Sequence, residues 1–320
     1  MRLVTFRRGA SDDARAGVLR DDRIVDLTVL AGRPQGSLPA PLAAGATASV
    51  KALLQAGPAA LDAVRALVDG IDPTAAQGDD AVLPLDAATL LPPIPDAGTF
   101  LCVGKNYRAH LDELVRNDLL KELPQEPTGF IKLNACLSGH EARVERPEGI
   151  TTLDYEPELV FVIGRPTHRV RKEDALDHVV GITLLNDLTA REVQKREVAS
   201  GTRFWTAKNM PGFGPLGPSL ITLDEVADPF DLWLTCSVNG QERIRVNTRN
   251  QIFKIQEIIE HFSRYIPFEP GDMFATGSPG GVAVGQPNAA ELFLKPGDVV
   301  DVAIDGLLSL RTHITAPEAP

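Results

Sequence analysis

The sequence predicts an α+β, β-rich fold, and three observations carry that prediction. From Thr99 onward short apolar runs of strand type dominate: "TFLCVG", "ELVFVIG", "VVGITLLND", "LWLTCSVNG" and "VVDVAIDGLLSLRTHI". Few stretches with helical spacing interrupt them, namely "RAHLDELVRNDLLKEL", "TAREVQKREV" and "IFKIQEIIEHFSRY". Strands at irregular intervals with few helices argue for a mixed, β-rich domain and against a doubly wound parallel sheet.

Ahead of that domain the composition differs. Residues 1–30 alternate as "RLVTF", "AGVLR" and "DRIVDL", separated by Gly and Asp turn signals, which predicts a small antiparallel unit. Residues 31–90 are rich in Ala, Gly and Pro; "ATASVKALLQAG" and "AALDAVRALVDG" carry helical spacing with Gly just past the end. A small N-terminal α/β domain over residues 1–90 follows. The prolines of "LPPIPDAG" make residues 91–98 a linker, residues 99–316 the main domain, and residues 317–320 a loose tail.

With 32 Lys+Arg against 43 Asp+Glu the formal net charge is −11, so nucleic acid and anionic membrane are poor partners. The start lacks the apolar run of a secretory signal, and no stretch reaches membrane-spanning length. A cytoplasmic protein is the expectation. Cys102, Cys136 and Cys236 lie far apart in apolar sequence, as inert core thiols rather than a disulfide framework or a thiolate metal site.

The stretch "LDYEPELVFVIG" puts Glu156 and Glu158 at the mouth of an apolar strand. Two residues apart on a strand, they share a face with Val160 and Val162, while Leu159, Phe161 and Ile163 take the other. Pro157 between them lacks an N–H and belongs at a strand start or edge. Like charges beside apolar residues call for a cation. Asp187 ends "VVGITLLND"; if the two strands are neighbours, three carboxylates converge as an all-oxygen site for Mg²⁺, Mn²⁺ or Ca²⁺. The residues alone leave a second reading open, in which the glutamates pair with surface arginines on an exposed edge and Asp187 caps a helix.

In "FLCVGKNYRAHLDE", His110 and Glu113 stand at i and i+3 of a helix start. Glu113 can orient one imidazole nitrogen while the other acts as base, with water as nucleophile, or the two can pair by chance on a solvated face.

Taken together, "VGKNYRAHLDE", "FIKLNACLSG", "LDYEPELVFVIG", "LLNDLTAREVQ", "AKNMPGFGPLGP" and "PGDMFATGSPGGV" resemble, in order, the fumarylacetoacetate hydrolase family over residues 98–313. The resemblance implies a mixed β-sandwich or β-roll catalytic domain, with a leading segment like the small domain of two-domain bacterial members. It implies Glu156, Glu158 and Asp187 as ligands of Mg²⁺ or Mn²⁺, and His110 with Glu113 as a base dyad on a lid helix. Lys208 matches a lysine near the reacting oxyanion. Thr276 and Gly277 match positions that hold a substrate carboxylate, and Arg191 and Gln194 support the site; Lys105 stands where relatives often carry other residues and is a candidate to reach a substrate carboxylate, or reaches nothing. Lys132 matches a common lysine without a clear role. The implied activity is hydrolysis of a carbon–carbon bond in an acylpyruvate or related 2,4-dioxo acid. Oxo-acid decarboxylation, isomerisation and dehydration are the alternatives the same chemistry serves. A small oxo acid is the implied partner, and a homodimer the expected assembly. "KNMPGFGPLGP" and "GSPGGV" depart from the commoner family pattern, which leaves the acyl group unspecified.

Overall fold

The alternating leading runs fold as an antiparallel meander of β1 (Arg2–Arg7), β2 (Arg15–Arg20) and β3 (Arg23–Asp26). Helix α1 (Leu27–Ala31) follows, then α2 (Val50–Gln55) and α3 (Pro58–Asp69). Ser49 caps α2 by accepting the Ala52 N–H, and Pro58 opens α3 where its missing N–H removes no helical bond. β4 (Val82–Pro84) pairs with β3 and β5 (Thr89–Leu91) with β1. This computed structural model describes residues 1–9, 12–32, 42, 45–71, 79–108, 125–201 and 205–317.

The following strands are β6 (Phe100–Gly104), β7 (Thr128–Ile131), β8 (Leu137–Ser138), β9 (Ala142–Glu145) and β10 (Leu153–Asp154). Next come β11 (Pro157–Ile163), β12 (Val179–Asn186), β13 (Thr189–Ala190) and β14 (Gly214–Thr222). β15 (Trp233–Val238), β16 (Gln241–Asn247), β17 (Met273–Ala275), β18 (Val299–Ile304) and β19 (Leu308–Thr315) complete the set. The helical stretches predicted near residues 190 and 255 appear as α4 (Arg191–Ala199) and α5 (Ile255–Ser263). The predicted lid helix, with His110 and Glu113, lies outside the described residues beyond Arg108.

The main sheet runs β4-β3-β2-β1-β14-β12-β11-β17-β6-β7. It is mixed: β17 pairs with β6 in parallel, while β11 pairs antiparallel with β12 and β17. β1 pairs with β14, so the leading segment extends the sheet that carries β11. A five-stranded sheet, β16-β15-β18-β19-β9, packs against one face. Strand β14 went unpredicted because "GPLGPSLIT" carries glycines and prolines that read as loop.

The alternation expected for β11 is realised. Leu159, Phe161 and Ile163 join the core between the two sheets with Leu234, Val302 and Leu310. Val160 and Val162 join the other core with Leu53, Val64 and Cys102, so α2 and α3 cover that face. At about 1.5–3 kcal/mol for each fully buried aliphatic side chain, both cores hold β11 rigidly beneath its glutamates. All three cysteines are buried and unbridged, and burial pushes the Cys102 thiol well up, which leaves it inert. Among the described residues no helix is long and apolar enough to cross a membrane.

Candidate metal centre

Pro157 is the first residue of β11, where a missing N–H is tolerated, and it stands opposite Asn186 at the end of β12. The two carboxylate segments are therefore adjacent. The Asp187 N–H donates to the Glu156 carbonyl (2.8 Å), and the Glu156 N–H to Asn186 Oδ1 (3.1 Å). Just outside, β10 and β13 pair Asp154 with Thr189, so the chain on either side of the acids is locked in register. Glu156, Glu158 and Asp187 converge, each offering an oxygen within 4.8 Å of the others, and all three are buried. Asp187 is not a helix cap: α4 starts after Ala190.

Three cations surround the acids. Lys208, on a short turn over Thr206–Lys208, sends its Nζ to Glu156 Oε2 (2.6 Å), Asp187 Oδ2 (2.6 Å) and Thr189 Oγ1 (2.8 Å). The Phe130 ring lies 5.4 Å from the same ammonium, at cation–π distance. Lys132 donates to Asp187 Oδ1 (2.8 Å) and to the backbone carbonyl of Lys208 (2.6 Å), which fixes both. Arg191 donates to Glu156 Oε1 (2.5 Å), Asp154 Oδ2 (2.8 Å) and Gln194 Oε1 (3.0 Å). Both oxygens of Glu156 and both of Asp187 thus meet protein cations.

Glu158 differs. Its Oε2 accepts the Gly277 N–H (2.9 Å), and among the described residues no cation pairs with it. Burial, then Asp187 and Glu156, hold its carboxyl well above the usual range. Burial works against the charge of Lys208 and Arg191 as well, but Asp187 and Glu156 for the lysine, and Asp154 and Glu156 for the arginine, outweigh it and raise both pKa values. Lys208 is thereby a fixed positive charge rather than a base.

Among the described residues, four acids (Asp154, Glu156, Glu158, Asp187) and three bases (Lys132, Lys208, Arg191) leave one formal negative charge in excess. The oxygen-only donor set of the trio fits a hard divalent cation, which would turn that excess positive and favour an anionic substrate.

The Gly-rich segment after β17 completes one wall. Gly277 has φ 91°, and a Cβ there would lie 2.8 Å from the Val103 carbonyl and 3.1 Å from Asn106 Cβ, so only glycine turns its N–H toward Glu158 here. The Thr276 hydroxyl donates to the Leu159 carbonyl (3.0 Å) and accepts from Gln251 Nε2 (2.9 Å). To hold a substrate carboxylate, as expected, Thr276 would exchange that carbonyl for the substrate. Asn106 donates to the Thr276 carbonyl (2.8 Å), which seats the end of β6 on this wall. Its neighbour Lys105 is half-buried, in the left-handed region at φ 63°.

Three positions escaped the sequence reading: Asp154 and Gln251, which it did not single out, and Lys132, to which it gave no role. Asp154 stood within "LDYEPE", between Leu153 and Tyr155 and two residues before Glu156. Gln251 and Lys132 had no local signal, since their partners lie far away in sequence.

A family model described as fumarylacetoacetate (FAA) hydrolase, C-terminal, matches residues 99–315. A mitochondrial oxaloacetate tautomerase of Xenopus laevis is 34% identical over 317 residues, covering 98% of this chain and 90% of that protein. The oxaloacetate tautomerase YisK of Bacillus subtilis is 38% identical over 232 residues, covering 72% of this chain and 74% of its own. Among solved structures, maleylpyruvate hydrolase from Sphingobium sp. SYK-6 in complex with manganese(II) and pyruvate superposes with a TM-score of 0.73 at 26% identity, over 99% of this chain and 100% of that one. Fumarylacetoacetate hydrolase from Exiguobacterium antarcticum gives a TM-score of 0.72 at 29% identity, with 99% and 100% covered.

Proposed function

We propose, from the premise that the chain belongs to the fumarylacetoacetate hydrolase family, that it is a Mg²⁺- or Mn²⁺-dependent enzyme acting on a short 2-oxo acid through an enolate. Its reaction is then keto–enol interconversion of an oxaloacetate-type diacid. The observation that carries this is the buried trio of Glu156, Glu158 and Asp187 with the Lys208 ammonium against it. The names of two relatives above 30% identity support the tautomerase reading over hydrolysis.

A divalent cation held by the trio would supply Lewis-acid stabilisation of enolate charge. Lys208 adds a second positive charge that needs no reorganisation when an oxyanion develops. Lys132 keeps the Lys208 backbone and Asp187 in place. His110, oriented by Glu113, takes the proton from the carbon beside the oxo group and returns one to the enolate oxygen, so the reaction is a net isomerisation.

Hydrolysis of an acylpyruvate is the second reading, favoured by the His110/Glu113 pair and by the manganese and pyruvate of the maleylpyruvate hydrolase structure. There His110 takes its proton from water instead. The deciding experiment follows enol absorbance of oxaloacetate, pyruvate release from it, and loss of acylpyruvates, each with Mg²⁺, with Mn²⁺ and with chelator. Enol decay accelerated by cation without pyruvate release is the expected result. Rates untouched by chelator would sink the cation-dependent reading.

A further inference from the structure

Asp154 is fully buried and stands outside the trio, yet it accepts four hydrogen bonds. Its Oδ1 accepts the N–H groups of Tyr155 (2.9 Å) and Ala283 (2.9 Å). Its Oδ2 accepts the Val284 N–H (3.1 Å) and Arg191 Nε (2.8 Å). Backbone groups of the adjacent Tyr155 and of one distant segment, Ala283 and Val284, thus fix the carboxylate before it meets the guanidinium. Arg191 in turn reaches Glu156 Oε1 (2.5 Å) and Gln194 Oε1 (3.0 Å). The planar fork holds three acceptors in fixed directions, a rigid geometry that a lysine's single ammonium nitrogen does not reproduce.

We propose that Asp154 is a positioning residue that sets the cation affinity of the trio by holding Arg191 against Glu156. The inference rests on the cation-binding reading above and goes beyond it by assigning a residue outside the ligand set. Without Asp154 the guanidinium would have a single buried counter-charge and be free to turn over Glu156, displacing a ligand oxygen. With it, the order of support runs from the Ala283 and Val284 backbone to Asp154, to Arg191, to Glu156. Partners behind metal ligands typically change affinity or activity by about 10- to 100-fold when removed.

The test is Mn²⁺ titration of the full chain, read by loss of the free-ion electron paramagnetic resonance signal. It compares the wild type, Asp154→Asn, Arg191→Lys and the double variant. Asp154→Asn keeps an oxygen for Tyr155 and Ala283 but turns an NH₂ toward Arg191. About 10- to 100-fold weaker Mn²⁺ binding is expected. The double variant should bind no more weakly than the weaker single one, because both changes undo one contact. Wild-type affinity in Asp154→Asn overturns the proposal, and so does a double variant whose losses multiply. Should Asp154→Asn not fold, Arg191→Lys decides: weakening of about tenfold or more supports the proposal, and unchanged affinity overturns it. A wild type that takes up no Mn²⁺ overturns the cation reading and this inference together, an outcome distinct from a variant that binds as well as a binding wild type.

Discussion

Lys208, Lys132 and Arg191 meet Glu156, Asp187 and Asp154 where water is excluded; Arg311, Asp301, Glu141 and His313 meet at similar distances on the outer face of the β18–β19 hairpin. The buried pairs lie at 2.5–2.8 Å with side chains at most 6% exposed. The surface pairs Arg311–Asp301 (2.7 Å) and His313–Glu141 (2.5 Å) have side chains 22–51% exposed. Distance therefore does not distinguish the clusters; solvent does. In the interior each charge loses its hydration and must be answered by a partner, so removing one leaves the others stranded. On the hairpin, water and salt replace any partner that goes.

The sharpest break in this comparison is Asp187→Ala. It takes from Lys132 its carboxylate partner and leaves Lys208 with Glu156 alone, and breaking a buried pair costs about 3–5 kcal/mol. Denaturant unfolding should show that loss, and calorimetry should show no Mn²⁺ binding and assays no turnover. Next comes Lys208→Met, expected to keep Mn²⁺ and to lower kcat by about 10²–10³, the usual effect of removing one group that stabilises an oxyanion. Turnover near the wild-type rate would remove Lys208 from the reaction. His110→Ala, by the sequence reading, should likewise bind Mn²⁺ and lose activity; a rate near wild type would sink it as the base.

Glu158 tests the electrostatics from the other direction. Its carboxyl is held well above the ordinary value of 4.5 by burial and by Asp187 and Glu156. The folded chain thus binds this proton more tightly than the unfolded one, and cation-free stability falls as pH rises above that ordinary value. Glu158→Gln removes the titration. In chelator, between about pH 5 and 8, the variant's Tm should pull ahead of the wild type's as pH rises. Saturating Mn²⁺ should favour only the wild type, because the ion binds the folded form and needs the carboxylate. A Tm difference that does not change with pH would mean that Glu158 is ionised without strain in the cation-free protein.

Much of the trio was legible because period-two alternation and Pro157 fix where Glu156 and Glu158 point without tertiary information. Strand β12 was equally legible, and with it the neighbourhood of Asp187. The balancing charges were another matter. Lys132 sits in "FIKL", where exposed Ile131 and Leu133 flank a wholly buried lysine, and its partner Asp187 is 55 positions away. Only the tertiary fold brings them together. Asp154 was hidden for a related reason: its role lies in Ala283, Val284 and Arg191, which meet it through the β10–β13 pairing and the turn after the Gly-rich segment. Strand β14 was lost because its glycines and prolines masked a central position in the main sheet.

The smallest expected effect belongs to the surface cluster. Asp301 and Arg311 are direct cross-strand partners in the hairpin, and the Asp301 hydrogen bond and charge raise the Arg311 pKa. That shift says the pair forms, not that it stabilises, because the guanidinium stays charged whether or not Asp301 is present. Exposed pairs of this kind contribute about 0–1 kcal/mol, less at high salt. Arg311→Ala should therefore lower stability by under about 1 kcal/mol, with Mn²⁺ affinity unchanged, since neither β18 nor β19 carries a residue of the trio. Denaturant unfolding at low and high salt checks both statements. A loss matching that of Asp187→Ala would mean that the hairpin charges work as a buried network and that solvent is not what separates the two clusters.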